Sequence, residues 1–505
     1  MAAGPPNVLL IMADQLAASW LPAYGHELVQ APNITGLADA GVVFENAYCA
    51  SPLCAPSRSA LLAGRLPSRT RVYDNAAELP ASEPMVTHHL RAAGYDTCLS
   101  GKMHFVGPDQ LHGFERRLTT DVYPADLDWT PDWRVPLTER LPWYHTMESV
   151  LTPGVCAASM QMDYDDEVAH RAVRRLRDLA RGRERPFFLT VSFTSPHDPW
   201  ELRPDYWERY DPAAIELPAV GPIARERTDP HSLRLRDMCG IDEVALTDAQ
   251  VRRARHAYYA AISYVDERIG EVLDELAATG LDDDTIVLFT ADHGELLGER
   301  GLWYKMSFFE PSARIPLIVR GLGHAAGRVA EPVSLLDLAP TLLDLCGLGQ
   351  ASAMSGRSLA PALRGEALEP ADVVAEYLAE GATSPVVMVR RGRHKLIRCE
   401  DDPDQLYDLD ADPCELVNLA HAEPRRCAEL RAEVERRWDL PTLREQVLRS
   451  QSERRVVVEA LRVGQPASWN FLPRSDHEYV RGRDDLYELQ RRARLDVPDA
   501  ASEHP

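Results

Sequence analysis

Apolar runs bounded by polar residues recur along the chain and alternate with longer stretches of helical periodicity. Three runs have the length and composition of buried strands: residues 7–13 (NVLLIMA), 186–193 (PFFLTVSF) and 285–291 (TIVLFTA). The stretches 165–181 and 248–279 carry apolar residues at helical spacing and predict helices that cover the faces of a sheet. Strands that alternate with helices predict an α/β protein with a large, mainly parallel sheet sandwiched by helices.

A different pattern follows residue 365. Four short apolar runs between residues 372 and 410, VVAEYLA, VVMVRRG, KLIRCE and QLYDLD, predict a small antiparallel sheet, and residues 422–438 predict an amphipathic helix packed on it. We therefore expect three parts: a principal domain over residues 1–365, a small α+β subdomain over 366–440, and a charged, partly helical C-terminal extension over 441–505.

The composition is typical of a globular protein without a membrane span. Of the 505 residues, 45% are hydrophobic and 26% are charged, and no apolar run approaches the roughly 20 residues that cross a bilayer. The run at residues 7–13 lacks a positively charged segment before it, and an aspartate follows it at once. It therefore predicts a strand rather than a signal peptide, and we expect a cytoplasmic location.

Charge and cysteine content exclude two further classes. The nine cysteines are an odd number without paired spacing, which argues against a disulfide framework. The net charge of −23 disfavours nucleic acid as a partner, and no basic stripe offsets it. A small anionic substrate stays possible, because a local field can oppose the global sign.

Each of the three predicted strands ends in side chains that can bind ions. Asp14 and Gln15 follow the first, His197 lies just beyond the second, and Asp292 and His293 follow the third. Ligands of open α/β sheets bind at the carboxyl ends of the strands. Two carboxylates, an amide oxygen and an imidazole suit a divalent cation, with calcium or magnesium favoured by the oxygens and manganese allowed by the imidazole. The alternative is that the two aspartates only cap the segments that follow.

A short helix is predicted to begin at Cys54, in the string CAPSRSALLAGR. Pro56 suits its first turn and Gly64 suits its end. Cys54 would then lie at a helix N-terminus, where free N–H groups attract anions and favour a thiolate. Arg58, one turn further on, could bind the same anion. The alternative is a buried structural cysteine beside a surface arginine.

Three more cationic side chains are candidates for an anion site. Lys102 and His104 lie in the string SGKMH and would point the same way if that segment is extended. Lys305 lies in GLWYKMSFFE. Each lysine taken alone could equally be a solvated surface charge.

Together these residues resemble the sulfatases of the alkaline phosphatase superfamily. The family signature is a Cys-x-Pro-Ser-Arg string followed by a basic Gly-Lys-x-His segment, and it matches Cys54–Arg58 and Gly101–His104. The resemblance runs from Asn7 to about Asn418, where YDLDADPCELVNLA is similar to the C-terminal sulfatase motif. It implies the fold of that superfamily and an enzyme rather than a catalytically dead binding protein.

The resemblance also implies a role for each candidate. Cys54 would be oxidised to formylglycine by a separate maturing enzyme, and the aldehyde hydrate would supply the hydroxyl that attacks sulfur and a second hydroxyl that later loses its proton to expel sulfate. Arg58 would stabilise this nucleophile. Lys102 and Lys305 would hold the sulfate oxygens, and His104 and His197 would transfer protons at the nucleophile and the leaving group. The metal would be bound by Asp14, Gln15, Asp292, His293 and the modified Cys54.

Two positions depart from the pattern of many sulfatases. Gln15 stands where they carry a second aspartate, and His293 stands where they carry an asparagine. The same departures occur in choline sulfatases and in phosphonate monoester hydrolases. We therefore expect one divalent cation, with Ca²⁺ first and Mn²⁺ or Mg²⁺ as alternatives.

Residues 121–148 carry a cluster of aromatic and acidic side chains that includes Trp129 and His145. A trimethylammonium group has no hydrogen-bond donors, so a protein holds it with aromatic faces and nearby negative charge. The alternative is a loop whose aromatic side chains pack onto the main domain.

Residues 71–78, 100–126 and 298–310 are similar to choline sulfatases in particular. By that resemblance, Trp129 and His145 would line an ammonium pocket and Asn75 would lie near the sulfate. Glu376, a charge inside an apolar strand, would complete the cation site or form a salt bridge on the strand face.

The expected activity is hydrolysis of choline-O-sulfate to choline and sulfate. Phosphonate monoester or phosphodiester hydrolysis is the alternative, or hydrolysis of another alkyl or aryl sulfate. The expected partners are a small sulfate ester, a formylglycine-generating enzyme and further copies of the chain, as a homodimer or homotetramer with the C-terminal extension at a subunit interface. Nucleic acid and membrane are not expected.

Overall fold

The computed structural model describes residues 4–473 apart from 138, 183, 322–325, 350, 352–353 and 466–467. Eight strands form one large sheet: β1 (Asn7–Ala13), β2 (Val42–Phe44), β3 (Asp96–Gly101), β4 (Arg116–Arg117), β5 (Phe187–Ser192), β6 (Thr285–Ala291), β7 (Leu317–Arg320) and β8 (Gly327–Val329). Their order across the sheet is β8-β2-β7-β6-β1-β5-β3-β4. Neighbouring strands run parallel except at β7, which is antiparallel to β6 and β2. The predicted large, mainly parallel sheet is confirmed.

The centre of the sheet lies in the core of the molecule. β1, β5 and β6 are buried along almost their whole length, as strands of a parallel sheet covered on both faces must be. Their apolar runs therefore predicted them well. β1 and β6 have the predicted bounds, and β5 is one residue shorter at each end than the predicted 186–193.

The described chain has eight helices of eight or more residues: α1 (Pro32–Asp39), α2 (Cys54–Ala63), α3 (Met160–Gly182), α4 (Pro230–Cys239), α5 (Asp248–Ala278), α6 (Leu338–Leu345), α7 (Pro424–Arg437) and α8 (Leu440–Leu461). Three of them, α1, α3 and α5, pack beside the large sheet or on one another. Shorter helices span Pro67–Thr70, Val86–Ala92, Glu148–Leu151, Pro204–Trp207, Glu310–Ala313 and Ala360–Leu363. Single 3-10 turns span Ala18–Trp20, Pro22–Tyr24, Arg225–Arg227, Ile241–Glu243, Asp282–Asp284, Glu299–Gly301 and Leu335–Asp337.

Local sequence explains where the long helices begin. Thr247 caps α5 and Gln250 returns the hydrogen bond, so a capping box sets the start of the helix at Asp248. It ends one residue before the predicted bound, and α3 begins five residues before its predicted start at 165. Within the described part of the chain, no helix has the length and apolar character needed to cross a bilayer.

The smaller C-terminal sheet is antiparallel, as expected. Its strands are β9 (Val373–Tyr377), β10 (Val386–Arg391), β11 (His394–Cys399) and β12 (Gln405–Asp408), and they are ordered as in the sequence. Helix α7 packs on β10 and β11. The remaining short strands are Ala47–Tyr48 with Arg314–Ile315 and Val333–Ser334, and Gly154–Val155 with Glu201–Leu202. The last part of the predicted C-terminal extension, 474–505, lies outside the described residues.

Candidate active site

Four neighbouring strands, β6, β1, β5 and β3, end at one edge of the large sheet and carry the candidate residues there. Asp292 follows β6, Asp14 follows β1 and Lys102 follows β3. His197 lies five residues beyond the end of β5. The carboxyl edge of the sheet therefore brings together side chains that are as many as 278 residues apart in the sequence.

Cys54 joins this edge from α2, which begins at that residue and ends before Gly64, a left-handed glycine with φ 62°. The thiol Sγ lies 3.2 Å from His293 Nε2 and 3.9 Å from Asp14 Oδ1. Asn75 supports the start of the helix, because its Oδ1 accepts a hydrogen bond of 3.0 Å from the backbone N–H of Ala55. Local sequence thus placed the helix correctly, and the sheet edge supplies its partners.

Arg58 is fully buried and holds the two aspartates together. Its Nε donates to Asp292 Oδ2 at 2.8 Å, and a terminal nitrogen donates to Asp14 Oδ2 at 2.9 Å. Another donates to the backbone oxygen of Lys102 at 2.6 Å. The alternative of a surface arginine is therefore wrong, and so is that of aspartates that serve only as caps.

Lys102 and Lys305 are also buried, so neither is a solvated surface charge. Lys102 Nζ forms an ion pair with Asp14 Oδ2 and lies 3.7 Å from the Cys54 thiol. Burial opposes ionisation of Asp14, but Lys102 and Arg58 outweigh it and hold the pKa of Asp14 well below its usual range. The site thus keeps its charges in low-dielectric surroundings by pairing them.

The surroundings of Cys54 oppose the thiolate that a helix N-terminus favours. Burial, with the negative charge of Asp14 beside it, raises the pKa of the Cys54 thiol to about 11, although Lys102 and Lys305 oppose the shift. The helix N-terminus is therefore not the deciding influence on this side chain. As a plain cysteine, Cys54 is a protonated thiol and a weak nucleophile at neutral pH.

Four buried side chains at this edge form a set suited to a divalent cation. Ligand atoms of Asp14, Cys54, Asp292 and His293 all lie within 4.8 Å of one another. Oxygen ligands of calcium lie about 2.3–2.6 Å from the ion, so ligands on opposite sides of it are about 5 Å apart. His293 Nδ1 lies 3.1 Å from the backbone oxygen of Gly294 and donates to it, which leaves the lone pair on Nε2 facing the set. The residues therefore fit a metal.

Gln15 lies beside this set with a left-handed backbone, φ 60°. Its backbone N–H donates to Asp292 Oδ1 at 3.1 Å, and its side-chain Nε2 donates to Glu295 Oε2 at 2.6 Å. The amide oxygen accepts a hydrogen bond from Lys305. Glu295 fixes the orientation of the amide and was not predicted, because nothing in its local sequence marks it as buried.

His197 and Lys305 form a second buried pair in the site. Lys305 Nζ lies 2.6 Å from His197 Nε2, and His197 Nδ1 lies 2.7 Å from the backbone oxygen of Asp198. An ammonium group can only donate and a carbonyl oxygen can only accept, so Nε2 carries the lone pair and Nδ1 the proton. Burial and the charge of Lys305 agree with this, because they hold the pKa of His197 well below its usual range.

His104 differs from its prediction. Its φ of 55° is left-handed, so the segment after Lys102 is not extended and the two side chains do not simply alternate along a strand. Its ring packs against Tyr123 and Trp129, with centroids 5.1 and 5.9 Å away. Among the described residues, neither ring nitrogen has a hydrogen-bond partner. Burial and the Lys102 charge lower the pKa of His104 to about 3, so the imidazole is neutral.

The aromatic segment, residues 121–148, contributes the side chains that pack around His104 and Lys102. Tyr123 lies with its ring 4.2 Å from Lys102 Nζ, and Trp129 contacts that ring edge-on at 5.1 Å. Trp143 stacks on Trp129 at 6.4 Å. His145 lies beside His197, with ring centroids 6.1 Å apart. The aromatic segment thus lines the site beside the lysine clamp rather than packing away from it.

Glu376 is not part of this wall. It lies on β9, and its carboxylate accepts hydrogen bonds from the backbone and hydroxyl groups of Ser68 and from Trp438 Nε1. The prediction that it completes a cation site is not supported by these contacts, because its donors are uncharged groups; those of Ser68 connect the small subdomain to the large one, and Trp438 lies within the small subdomain itself. The predicted salt bridge is replaced by neutral hydrogen bonds.

Glu380, four residues further on, is a better acidic candidate and was missed. It is 6% exposed, and among the described residues its Oε2 has no hydrogen-bond partner. Burial and nearby Asp74 raise its pKa to about 7, while Lys305 draws it down. Burial and the charge of Glu380 both raise the pKa of Tyr144. In the sequence Glu380 only follows an apolar run, so its burial depends on tertiary packing.

Comparison with known proteins agrees with this geometry. The Sulfatase family profile matches residues 6–348, the profile "N-sulphoglucosamine sulphohydrolase, C-terminal" matches residues 298–443, and the profile "Choline sulfatase enzyme C terminal" matches residues 445–495. The chain belongs to the sulfatase family. It is therefore a sulfuric ester hydrolase, of a family in which a formylglycine and a divalent metal carry the chemistry.

Similarity to individual proteins of the family varies in identity and coverage. The chain is 48% identical over 506 residues, covering 97% of this chain and 98% of the relative, to a choline-sulfatase of Rhizobium meliloti (strain 1021). It is 31% identical to arylsulfatase K of Danio rerio, over 84% of this chain and 82% of that one. Among solved structures, the phosphonate monoester hydrolase of Agrobacterium radiobacter is similar with a TM-score of 0.69 and 27% identity, covering 88% of this chain and 96% of that one. The 2-O GAG sulfatase BT1596 is similar with a TM-score of 0.67 and 25% identity, covering 90% and 94%.

Proposed function

We propose that this chain hydrolyses choline-O-sulfate to choline and sulfate. The observation that carries the proposal is the pair of aromatic side chains, Tyr123 and Trp129, beside Lys102. Buried Glu380 adds an acidic group whose charge acts on Lys305 and Tyr144. A sulfate group and a quaternary ammonium need opposite surroundings a few ångströms apart, and this site offers both. The near full-length similarity to a choline-sulfatase supports the same substrate.

The anion side of the substrate would lie between Lys102 and Lys305. Both ammonium groups are buried and lie near Cys54. Burial lowers the pKa of each, but opposite charge raises it further: Asp14 is the main cause at Lys102, and Cys54 followed by Asp14 at Lys305. Fixed cations in a water-excluded site stabilise the charge that develops on the sulfate oxygens during transfer. Asn75 holds the N-terminus of α2 against this pocket through Ala55.

Cys54 is proposed to be converted to formylglycine by a separate maturing enzyme. The hydrated aldehyde would supply one hydroxyl for attack on sulfur and a second whose deprotonation would release sulfate and restore the aldehyde. Arg58 holds the surrounding carboxylates in place. The ring nitrogens of His104 have no hydrogen-bond partner in the part of the chain that the structure describes, so they are free to take a proton at the nucleophile. This role requires a neutral imidazole, as the low pKa of His104 ensures.

A divalent cation is proposed to bind Asp14, Gln15, Asp292, His293 and the modified Cys54. When bound, it neutralises charge on the transferring group and on the nucleophile. Calcium suits the oxygen-rich set best, and manganese or magnesium are the alternatives.

The choline oxygen needs a proton as it leaves, since a free alkoxide is a poor leaving group. His197 and Lys305 share the closest suitable contact, 2.6 Å between Nε2 and Nζ. We assign delivery of this proton to that pair. An aryl sulfate has a better leaving group and depends less on it.

The ammonium end would lie against Trp129 and His145, with Glu380 supplying negative charge. A cation over the face of a tryptophan is attracted by the ring. Glu380 Oε2, a buried oxygen with no hydrogen-bond partner among the described residues, would gain from a fixed cation nearby. Phosphonate monoester hydrolysis is the second candidate, favoured by the solved structure of that activity with a similar fold. It would need the same nucleophile and metal but no cation pocket.

We further propose a cytoplasmic enzyme that acts as a homodimer or homotetramer, with the C-terminal extension at a subunit interface. Four large apolar side chains in and after α8 are 42–79% exposed and would be covered there: Val456, Val457, Val463 and Leu472. Exposed apolar clusters of this kind are typical of association surfaces.

Trp129→Ala tests the substrate assignment. A desolvated cation–π contact contributes up to about 2 kcal/mol, so the variant should lose roughly 30-fold in kcat/KM on choline-O-sulfate. An aryl sulfate and a phenyl phosphonate ester lack the cation, so their hydrolysis should change far less. The three substrates are compared by kcat/KM on both proteins. A wild-type preference for the phosphonate ester, or equal losses on all three substrates, would favour the second candidate.

A further inference from the structure

One face of α8 packs against residues 127–133 of the aromatic segment. Gln451, Arg454, Arg455, Val458 and Arg462, the last just past the helix end, recur at spacings of three, one, three and four residues. At 3.6 residues per turn these positions fall on one side of a helix. All five contact residues 127–133, the part of the aromatic segment that contains Trp129.

The contacts flank Trp129 on both sides. Before it, Leu127 shares a small buried apolar cluster with Val458 and Val106, and Asp128 pairs with Arg462 at 3.0 Å. After it, Thr130 Oγ1 accepts a hydrogen bond from Arg454 at 3.2 Å.

Two more contacts hold the end of the same stretch. Asp132 forms an ion pair with Arg455, and the backbone N–H of Trp133 donates to Gln451 Oε1 at 3.0 Å. Gln451 is fully buried, so this acceptor satisfies a backbone group that water cannot reach. One helix therefore holds the residues that precede and follow Trp129 in the sequence.

Arg454 extends the attachment into the anion side of the site. Its two terminal nitrogens donate to both oxygens of buried Asp74 at 2.6 Å each. Asp74 precedes Asn75, which holds the N-terminus of α2 through Ala55. Bidentate pairs of this kind fix geometry as well as contributing energy.

We propose that α8 positions Trp129, which would hold the ammonium end of the substrate. Gln451 and Val458 would act on Trp129 through the stretch 127–133. The proposal rests on the proposed function, because it assigns Trp129 to the substrate cation. It gives the region matched by the choline sulfatase C-terminal profile, residues 445–495, a role within its own chain. Trp129 itself contacts the substrate, and the α8 residues act only through it.

The test is the double variant Gln451→Ala/Val458→Ala, which leaves the Arg454–Asp74 pair in place. A misplacement of about 1 Å in a binding group can cost about 100-fold, so we expect at least about a tenfold loss in kcat/KM on choline-O-sulfate. The loss should appear in KM more than in kcat. With an aryl sulfate as substrate, inhibition by choline should weaken by a similar factor, and inhibition by inorganic sulfate should not change.

Arg175→Met is the matched control for lost stability. Arg175 is a largely buried partner of Asp96, at the opposite end of β3 from the site, at 2.6 Å. That variant should lower the melting temperature without changing the ratio of choline to sulfate inhibition. If the double variant does not fold, Gln451→Ala alone serves for the same measurements.

Equal weakening of choline and sulfate inhibition in the α8 variant, or no weakening of either, would overturn the proposal. A wild-type protein that is not inhibited by choline and does not cleave choline-O-sulfate would instead contradict the proposed function. The two failures are therefore distinguished by the wild type.

Discussion

Cys54→Ala is expected to abolish turnover while the protein still folds. The side chain lies at the meeting point of Asp14, His293 and Lys102, and no other described side chain occupies that place in the site. Removing the nucleophile of a hydrolase can cost on the order of 10⁶ in kcat. Kinetics with choline-O-sulfate and an aryl sulfate, with circular dichroism as the check of folding, measure the effect.

Cys49 provides a matched control. It is buried like Cys54, and because the first arginine or lysine of the chain is Arg58, both cysteines lie in one N-terminal tryptic peptide. Mass spectrometry should find formylglycine in this peptide from the wild type and from Cys49→Ala, and not from Cys54→Ala. Retained activity in Cys54→Ala, or formylglycine found at Cys49, would contradict the assignment.

Removal of the metal should abolish activity on every substrate and leave a folded but less stable protein. Arg58 bridges Asp14 and Asp292, and Lys102 pairs with Asp14, so the metal-free carboxylates keep counter-charges. The loss of stability then comes from lost binding, about 2.7 kcal/mol for a metal held at 100 times its Kd. The melting temperature before and after chelation measures it.

Adding Ca²⁺, Mn²⁺ or Mg²⁺ back to the chelated protein identifies the ion. Ca²⁺ should restore both the melting temperature and the activity, since most of the ligand set is oxygen. Full activity in a thoroughly metal-free preparation would contradict the metal site. A chelated protein that is unfolded would show that Arg58 and Lys102 do not compensate the carboxylates.

The sequence was sufficient to predict those parts of the site that depend on local patterns of residues. The apolar runs of β1, β5 and β6 are continuous because both faces are buried, so the positions of Asp14, His197 and Asp292 after them could be predicted. The helix at Cys54 was predictable from a proline in its first turn and a glycine after its end.

The missing parts depend on contacts between distant segments. Arg58 was predicted beside an anion, but its partners, Asp14 and Asp292, are set by the order of the strands. The left-handed φ of His104 and the burial of Glu380 leave no local trace, because each follows from packing against another element. The seating of α8 on the aromatic segment likewise requires the relative placement of elements more than 300 residues apart.

The most direct test of the account is to compare choline-O-sulfate with 3,3-dimethylbutyl sulfate, which has the same shape without the positive charge. Both esters present the same sulfate to Lys102 and Lys305, so only the ammonium pocket can tell them apart. We predict that kcat/KM of the wild type is at least about 30-fold higher for choline-O-sulfate, and that Trp129→Ala removes most of this preference. Equal kcat/KM values for the two esters in the wild type would contradict the assignment of choline-O-sulfate as the substrate.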